Sequence, residues 1–360
     1  MSWHLVQQRD GATRRYRDVR DSDLDWGTLV LEFDLGEIAR TAGAVLRLSP
    51  QNEPERIFAI EPMPGGRMHL LRRHGADVSH LSIGLGREPM SGRMRLSYHW
   101  DRPRGRSLLT AENLTRGTIR QQEAHGALPV LPDEVAALFG TNATRFRHPG
   151  VGWVGLADHW QTVGPMPGLA PDTLVETVDG PRPVASLRPG DRVRTADNRA
   201  LPVLWQGRVI APSVGALGTV RLSARHFGLP GDVILRAGQR VALSGTDVEY
   251  LFGETEVLVE ARHLVDGRSA VWTGAGILAV SHGLLFERHA LIRAGGVWTE
   301  SLYLGRIGRN ADLARSTAPG ALVDHGQMPL HFGPVRRELL GFEVQALALA
   351  RQGARAPLAA

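Results

Sequence analysis

The groups in this chain that could do chemistry are few, and its 14 histidines come first. An imidazole can ligate a metal, pass a proton or hold a turn. His69, His74 and His80 do not sit at ligand-pair spacing on one strand or helix. His148 and His159 lie far apart, and His226 stands alone. Scattered surface and capping histidines are therefore expected, with no metal site and no cofactor. Asp21, Asp23 and Asp25 alternate in the manner of calcium ligands, but the run lacks the loop glycine and the closing glutamate that a calcium loop needs. It reads as a solvated segment. There is no cysteine, which removes disulfides, thiolate ligands and thiol nucleophiles together. All 42 basic residues are arginine, so Schiff-base lysine chemistry is excluded as well. No G-x-G-x-x-G, Walker motif or G-x-S-x-G elbow is present.

The elements that must position any site are short. The 360 residues, 42% of them hydrophobic, are enough for two domains. Forty-two glycines and 22 prolines punctuate apolar segments that alternate rather than follow a helical period. Segments 28–35, 44–48, 56–60, 67–71, 93–100 and 151–156 read as strands. In 93–100, Met94, Leu96, Tyr98 and Trp100 fall on one face, with Arg93, Arg95, Ser97 and His99 on the other. A helix is expected over Pro132–Phe139, where Asp133 and Glu134 favour its first turn. The Pro/Gly-rich stretch 164–171 reads as a boundary. Beyond it, strands are expected at 173–177, 192–195, 203–209, 220–222, 233–235, 240–243, 279–286 and 289–293, with 256–264 either strand or short helix. An amphipathic helix closes the chain over 336–351, its apolar side carrying Leu339, Leu340, Val344, Leu347 and Ala348. The division is then a polar segment 1–24, a β-sandwich 25–163, a second all-β domain 164–305 and an extension 306–360.

The net charge is +5, and acidic residues interleave with the arginines, so no nucleic-acid partner is expected. No apolar run has the length to span a bilayer, and 1–20 lacks the apolar core of a secretory signal. No membrane association is expected, and the location is cytoplasmic by default, with export by a signal-independent route left open. The sequons at Asn113 and Asn142 read as chance.

The order of turns after residue 168 is specific. Gly168-Leu-Ala-Pro-Asp-Thr-Leu-Val175 is followed by Val184-Ala-Ser-Leu-Arg-Pro-Gly-Asp-Arg-Val193 and Val203-Leu-Trp-Gln-Gly-Arg208. Then come Tyr250-Leu-Phe-Gly-Glu-Thr-Glu-Val-Leu-Val259, Ala261-Arg-His-Leu-Val-Asp-Gly267, His282-Gly-Leu-Leu-Phe-Glu-Arg-His289 and Thr299-Glu-Ser301. This ordered set, over roughly 168–305, resembles the bacterial Hint (hedgehog/intein) domain. The resemblance implies an all-β horseshoe of two pseudo-symmetric halves which, in active relatives, cuts or splices its own backbone. A cysteine, serine or threonine opens such a domain and attacks the preceding carbonyl, and a histidine helps the amide nitrogen leave. Here Gly168 stands at the nucleophile position. In the turn Arg236-Ala237-Gly238-Gln239-Arg240, Gln239 replaces the histidine, and glutamine cannot act as the general acid. His282 and His289 match the last strand pair, either as the rest of the old pocket or as histidines that hold turns. Thr162 and Thr173 are the substitute nucleophiles to consider.

The first half resembles a laminin-G or concanavalin-type sandwich, on Leu96-Ser-Tyr-His-Trp-Asp101 and Val151-Gly-Trp-Val-Gly155. That resemblance implies a glycan or protein partner, with Trp100, Trp153 and Trp160 either stacking on a sugar or filling the core. Three readings follow: a non-cleaving Hint-type binding or structural module, an autoprocessing enzyme with an unusual nucleophile, and a glycan-binding protein.

Overall fold

The computed structural model describes residues 2–17, 22–41, 43–49, 55–86, 91–140 and 145–353. The chain forms two units, Met1–Gly164 and Pro165–Ala360. The chain is all-β: a β-sandwich, a second unit of interrupted sheets and a short C-terminal helix. Asp21 and Asn142 lie outside the described residues. Asp25 lies within them and pairs with Arg102.

The first unit is a sandwich of two antiparallel sheets. One has seven strands, in the order Thr118–His125, Arg106–Asn113, Arg93–Asp101, Trp26–Asp34, Val151–Ala157, Trp3–Gln8, Thr13–Arg15. The other has five, in the order Arg145–Arg147, Leu46–Leu48, Arg56–Met63, Arg67–His74, Asp77–Gly84. Alternation gives each sheet one apolar face. Leu29, Leu31, Leu96, Tyr98 and Trp100 of the first meet Leu46, Phe58, Ile60, Leu70 and Leu81 of the second in one core. The rings of Phe58 and Tyr98 pack edge-on across it, 6.0 Å apart. The expected helix forms at Pro132–Phe139, where the Glu134 carboxylate accepts the Leu131 N–H and the buried Arg72 guanidinium.

One expectation fails in this unit. The polar lead segment 1–24 is instead partly core, since Trp3–Gln8 pairs with Val151–Ala157 and is almost wholly buried. Trp3 packs on Trp153 and His159, and Leu5 joins the apolar core. The outer face of Arg93–Asp101 is also covered. Arg95, Ser97 and His99 are all buried. A strap made by the end of this unit lies over them. Thr28 Oγ1 donates to His159 O and accepts from Gln161 N, His99 Nε2 bonds Gln161 O at 2.8 Å, and Gly164 N donates to Glu112 Oε1 at 3.0 Å.

The second unit is built from interrupted sheets. The longest runs Ala200–Pro202, Arg192–Arg194, Leu174–Thr177, Leu291–Ala294, Val297–Glu300, Arg240–Ser244, Glu256–Glu260, Arg337–Glu338, with Gly180–Pro183 paired on Leu174–Thr177. A two-stranded ribbon joins Trp205–Pro212 to Leu278–Leu285, and a three-stranded sheet orders Val233–Arg236, Thr219–Leu222, Ala270–Thr273. Leu169, Val175, Val220, Leu235, Val241, Phe286 and Ile292 share their core.

The closing helix starts later than its apolar pattern suggests, at Gly341–Gly353. Arg337–Glu338 instead pairs in parallel with Val257 and Leu258, and the Glu343 carboxylate accepts the Leu340 N–H. Leu339, Val344 and Leu347 do bury, against Val248, Val257 and Val259, whereas Leu340 and Ala348 face out. Stretch 306–360 is thus not a mere appendage over its described part. The ambiguous 256–264 resolves into the strand Glu256–Glu260 and a single 3-10 turn, Ala261–Leu264.

Candidate active site around Gly168

The segment that opens the second unit is drawn between two sheets. Leu169 exchanges both backbone hydrogen bonds with His282, at 3.0 and 2.7 Å. On its other side Arg236 N donates to Gly168 O at 2.8 Å, and Ala170 N donates to Ile234 O at 3.3 Å. The glycine at 283 eases this close passage, since a Cβ there would lie 3.1 Å from Pro167 Cβ and 3.2 Å from its Cα. The Pro167–Gly168 bond is therefore held on both flanks.

The turn Arg236–Arg240 brings Gln239 beside Gly168. The buried Arg236 guanidinium fixes the start of the turn, donating to Ser281 Oγ and to the carbonyls of Leu217, Ala211 and Ala279. Gln239 N donates to Arg236 O, and Ala261 N donates to Gln239 O. The Gln239 side chain then spends its amide hydrogens on Thr299 Oγ1 at 2.8 Å and Glu300 O at 2.9 Å. This leaves its oxygen over Gly168. A Cβ at position 168 would lie 2.1 Å from Gln239 Oε1, 2.7 Å from its Cβ and 2.8 Å from its Cδ. Gln239 fills the space into which a nucleophilic side chain would grow.

His282 is brought to the site through its backbone pairing with Leu169. Its Nδ1 accepts from Gln206 Nε2 at 2.7 Å. Burial lowers its pKa, and the nearby Arg208 charge adds to that, so the neutral ring is favoured. His289 is joined less directly. Its Nδ1 accepts from Val335 N at 3.0 Å, and its Nε2 lies 3.2 Å from Glu300 Oε2. Its ring packs at a tilt on Tyr303 and stacks on His331. Glu300 thus connects the two positions, its carbonyl holding Gln239 and its carboxylate facing His289 and Arg240. Thr173 is not brought in. It is committed to a turn, with N–H to Ala170 O and carbonyl accepting from Val184 N. Thr162 belongs to the first unit. Glu300, Gln206 and Gly283 are the contributors that motif reading did not single out. All three lie inside the turn segments that carry the resemblance, or one strand away.

Other candidates fall elsewhere. His69 and His80, dismissed on spacing, meet across a hairpin with His80 Nε2 3.1 Å from His69 Nδ1. Spacing along one strand is blind to this because they are diagonal neighbours on two strands, Leu71 being opposite His80. Burial and the neighbouring His80 lower the His69 pKa. Among the described residues no group of three or more His, Asp or Glu could hold a metal ion. His74 faces Glu134, and His148 Nδ1 accepts from Gly150 N. Trp100 and Trp153 are core side chains, with Trp100 Nε1 bonded to Leu24 O, so neither is a surface on which a sugar could stack. Trp160 donates to Trp100 O and lies under the Arg106 guanidinium. Among the described residues no helix is long and apolar enough to cross a membrane.

A β horseshoe whose opening segment is threaded between two sheets, beside a turn that carries the partner side chain, defines the class of protein to which this second unit corresponds. Residues 167–306 match the model of the Hint domain family, and the chain is of the hedgehog/intein type over that stretch. Among solved structures, the chain is similar to the MchDnaB-1 intein (13% identity, 38% of this chain and 99% of that one, TM-score 0.26). It is also similar to the bacterial intein-like domain from Clostridium thermocellum (14% identity, 38% and 99%, TM-score 0.28). A third is the CBM40 domain of the Ruminococcus gnavus IT-sialidase bound to alpha2,6 sialyllactose (12% identity, 37% and 77%, TM-score 0.25). No curated protein matches the chain.

Proposed function

We propose that the Hint-type domain does not cut its own backbone and serves the chain as a binding or structural module. The observation that carries this reading is the interlock of Gly168 and Gln239. An N-to-O or N-to-S acyl shift needs a hydroxyl or thiol at 168 to attack the Pro167 carbonyl. It also needs an acid beside it to protonate the departing Gly168 nitrogen. Glycine supplies no attacking atom. An amide supplies no proton at neutral pH, and the amide of Gln239 is already spent on Thr299 and Glu300. The two losses are one packing arrangement, since the glutamine occupies what the glycine vacates.

Hydroxylamine tests this, because it captures any ester or thioester formed by a shifted acyl group. Full-length protein incubated with hydroxylamine or a thiol is expected to yield no more fragment than in buffer alone. A fragment whose C-terminus is the hydroxamate of Pro167 would overturn the proposal. Release at another bond, abolished by Thr173→Ala or Thr162→Ala, would assign the chemistry to that threonine and also overturn it.

A further inference from the structure

The first unit carries a cationic cleft that the Hint-type reading does not use. It opens at the margin of the sandwich, where the edge strand Arg145–Arg147 of one sheet faces Trp3–Gln8 of the other. The cleft has a volume of about 280 Å³ and is lined by Arg9, Arg145, Phe146, Arg147, His148, Pro149 and Val151. Alternation sends Arg145 and Arg147 to the same face of their strand. There they converge on one neutral atom, Gln7 Oε1, from 2.9 and 2.8 Å. Arg145 also donates to Leu138 O, and Arg147 to Gln8 O. Gln7 is held in place by its own Nε2, which donates to Thr13 Oγ1 and Phe139 O.

Among the described residues neither Arg145 nor Arg147 meets a carboxylate within 4.0 Å. Elsewhere in the unit the buried Arg72 and Arg95 pair with Glu134 and Glu32, and the partly buried Arg56 pairs with Asp133. Burial alone weakens the hold of Arg145 on its proton. Burial and the charge of Arg145 do the same at Arg147. Two half-buried guanidiniums sharing a neutral oxygen are an electrostatically unfinished arrangement. Most of their N–H donors, including both Nε–H groups, have no partner among the described residues. The third cation, Arg9, stands at the rim with Glu37 Oε2 at 3.8 Å. Pro149 closes the lining beside the charges.

We propose that this cleft binds an oxyanion group (a carboxylate, sulfate or phosphate), which Arg145 and Arg147 grip through their free N–H donors. An anion completes what Gln7 cannot, because guanidinium forks pair with such groups in bidentate fashion. The site lies wholly in the first unit, so it stands or falls independently of whether the second unit cuts itself.

Calorimetric titration of the full-length protein tests it, with sodium phosphate, sodium sulfate and sodium glucuronate each measured against sodium chloride of equal ionic strength. At least one of them is expected to bind saturably at one site. Phosphate or sulfate binding would identify a free-ion site, and glucuronate binding alone an acidic sugar. Arg147→Gln is expected to weaken that binding about tenfold, one charge-assisted hydrogen bond being worth roughly 1.4 kcal/mol or more. Arg9→Gln, a change at an exposed position that does not touch Gln7, is expected to weaken it by a smaller factor, and it carries the test if the first variant does not fold. Arg73→Gln, an exposed arginine on Arg67–His74, is expected to change nothing. Absence of saturable binding by all three anions, or equal binding by the protein and both cleft variants, would overturn the proposal.

Discussion

Gly168→Ala is expected to lower the unfolding free energy of the second unit by about 1–3 kcal/mol, the usual cost of forcing extra volume into a packed site. The backbone at 168 is outside the left-handed region, so the cost is one of space rather than of dihedral strain. The contact partner is not a floppy end that can swing aside. Gln239 is anchored by Thr299 Oγ1 and Glu300 O, and moving it leaves those acceptors without a donor. The remedy is graded. Gln239→Ala removes the contacts at 2.1 and 2.8 Å but leaves the Cβ of residue 239 only 2.7 Å from the new methyl. Gln239→Gly removes all three. A double-mutant cycle by urea denaturation should therefore show partial relief of the Gly168→Ala cost in the alanine background and near-complete relief in the glycine background. A neutral Gly168→Ala, or a cost unchanged when residue 239 is glycine, would show that the two positions are not interlocked.

Arg95→Met is expected to cost the first unit more, about 3–5 kcal/mol at neutral pH, because it strands two buried carboxylates. Arg95 Nε and Nη2 both donate to Glu32 Oε1, at 3.0 and 2.8 Å, and its Nη1 lies 3.7 Å from Glu112 Oε2. All three side chains are 6% exposed or less. Burial already pushes the Glu112 carboxyl up, and Arg95 and the Gly164 N–H pull it back only in part. Removing Arg95 removes the stronger of those pulls. A carboxyl whose folded pKa is raised binds more protons folded than unfolded, so stability falls as pH climbs from the ordinary carboxylate range through the raised value. The deficit of Arg95→Met should therefore shrink as pH is lowered toward the ordinary carboxylate range, the Glu112 carboxyl being neutralised in the folded state first. Thermal unfolding of the first unit's transition from pH 5 to pH 8 measures this. A deficit independent of pH would mean that Arg95 acts through packing alone.

That cluster also shows why part of the fold was hidden in the sequence. Alternation along 93–100 correctly separates Met94, Leu96, Tyr98 and Trp100 from Arg95, Ser97 and His99. Periodicity reports two unlike faces, not which is wet. The polar face is dry because the 158–164 strap, distant in sequence, covers it with its own hydrogen-bonding groups. Trp3–Gln8 was obscured for a related reason, since its polar flanks outweigh the short Trp3, Leu5, Val6 set that the sheet buries. The apolar pattern starts the closing helix too early because Leu339 keeps helical spacing while following directly on the strand Arg337–Glu338, its N–H donated to Leu258 O.

The candidate site was legible one residue at a time. The order of turns is enough to bring Gly168, Gln239 and His282 forward. What a linear reading cannot supply is that the Gln239 side chain lies in the volume of a missing side chain at 168, or that Glu300 ties Gln239 to His289. Those relations are made by the threading of Gly168–Ala170 between Val233–Arg236 and Leu278–Leu285. The cross-strand meeting of His69 and His80 was invisible for the same reason.

The central claim, that this Hint-type domain keeps the fold without the cut, is tested most directly by the intact mass of the full-length protein after expression and storage. A single species with the mass of the 360-residue chain is the predicted result. Two fragments whose masses meet at the Pro167–Gly168 bond would contradict it.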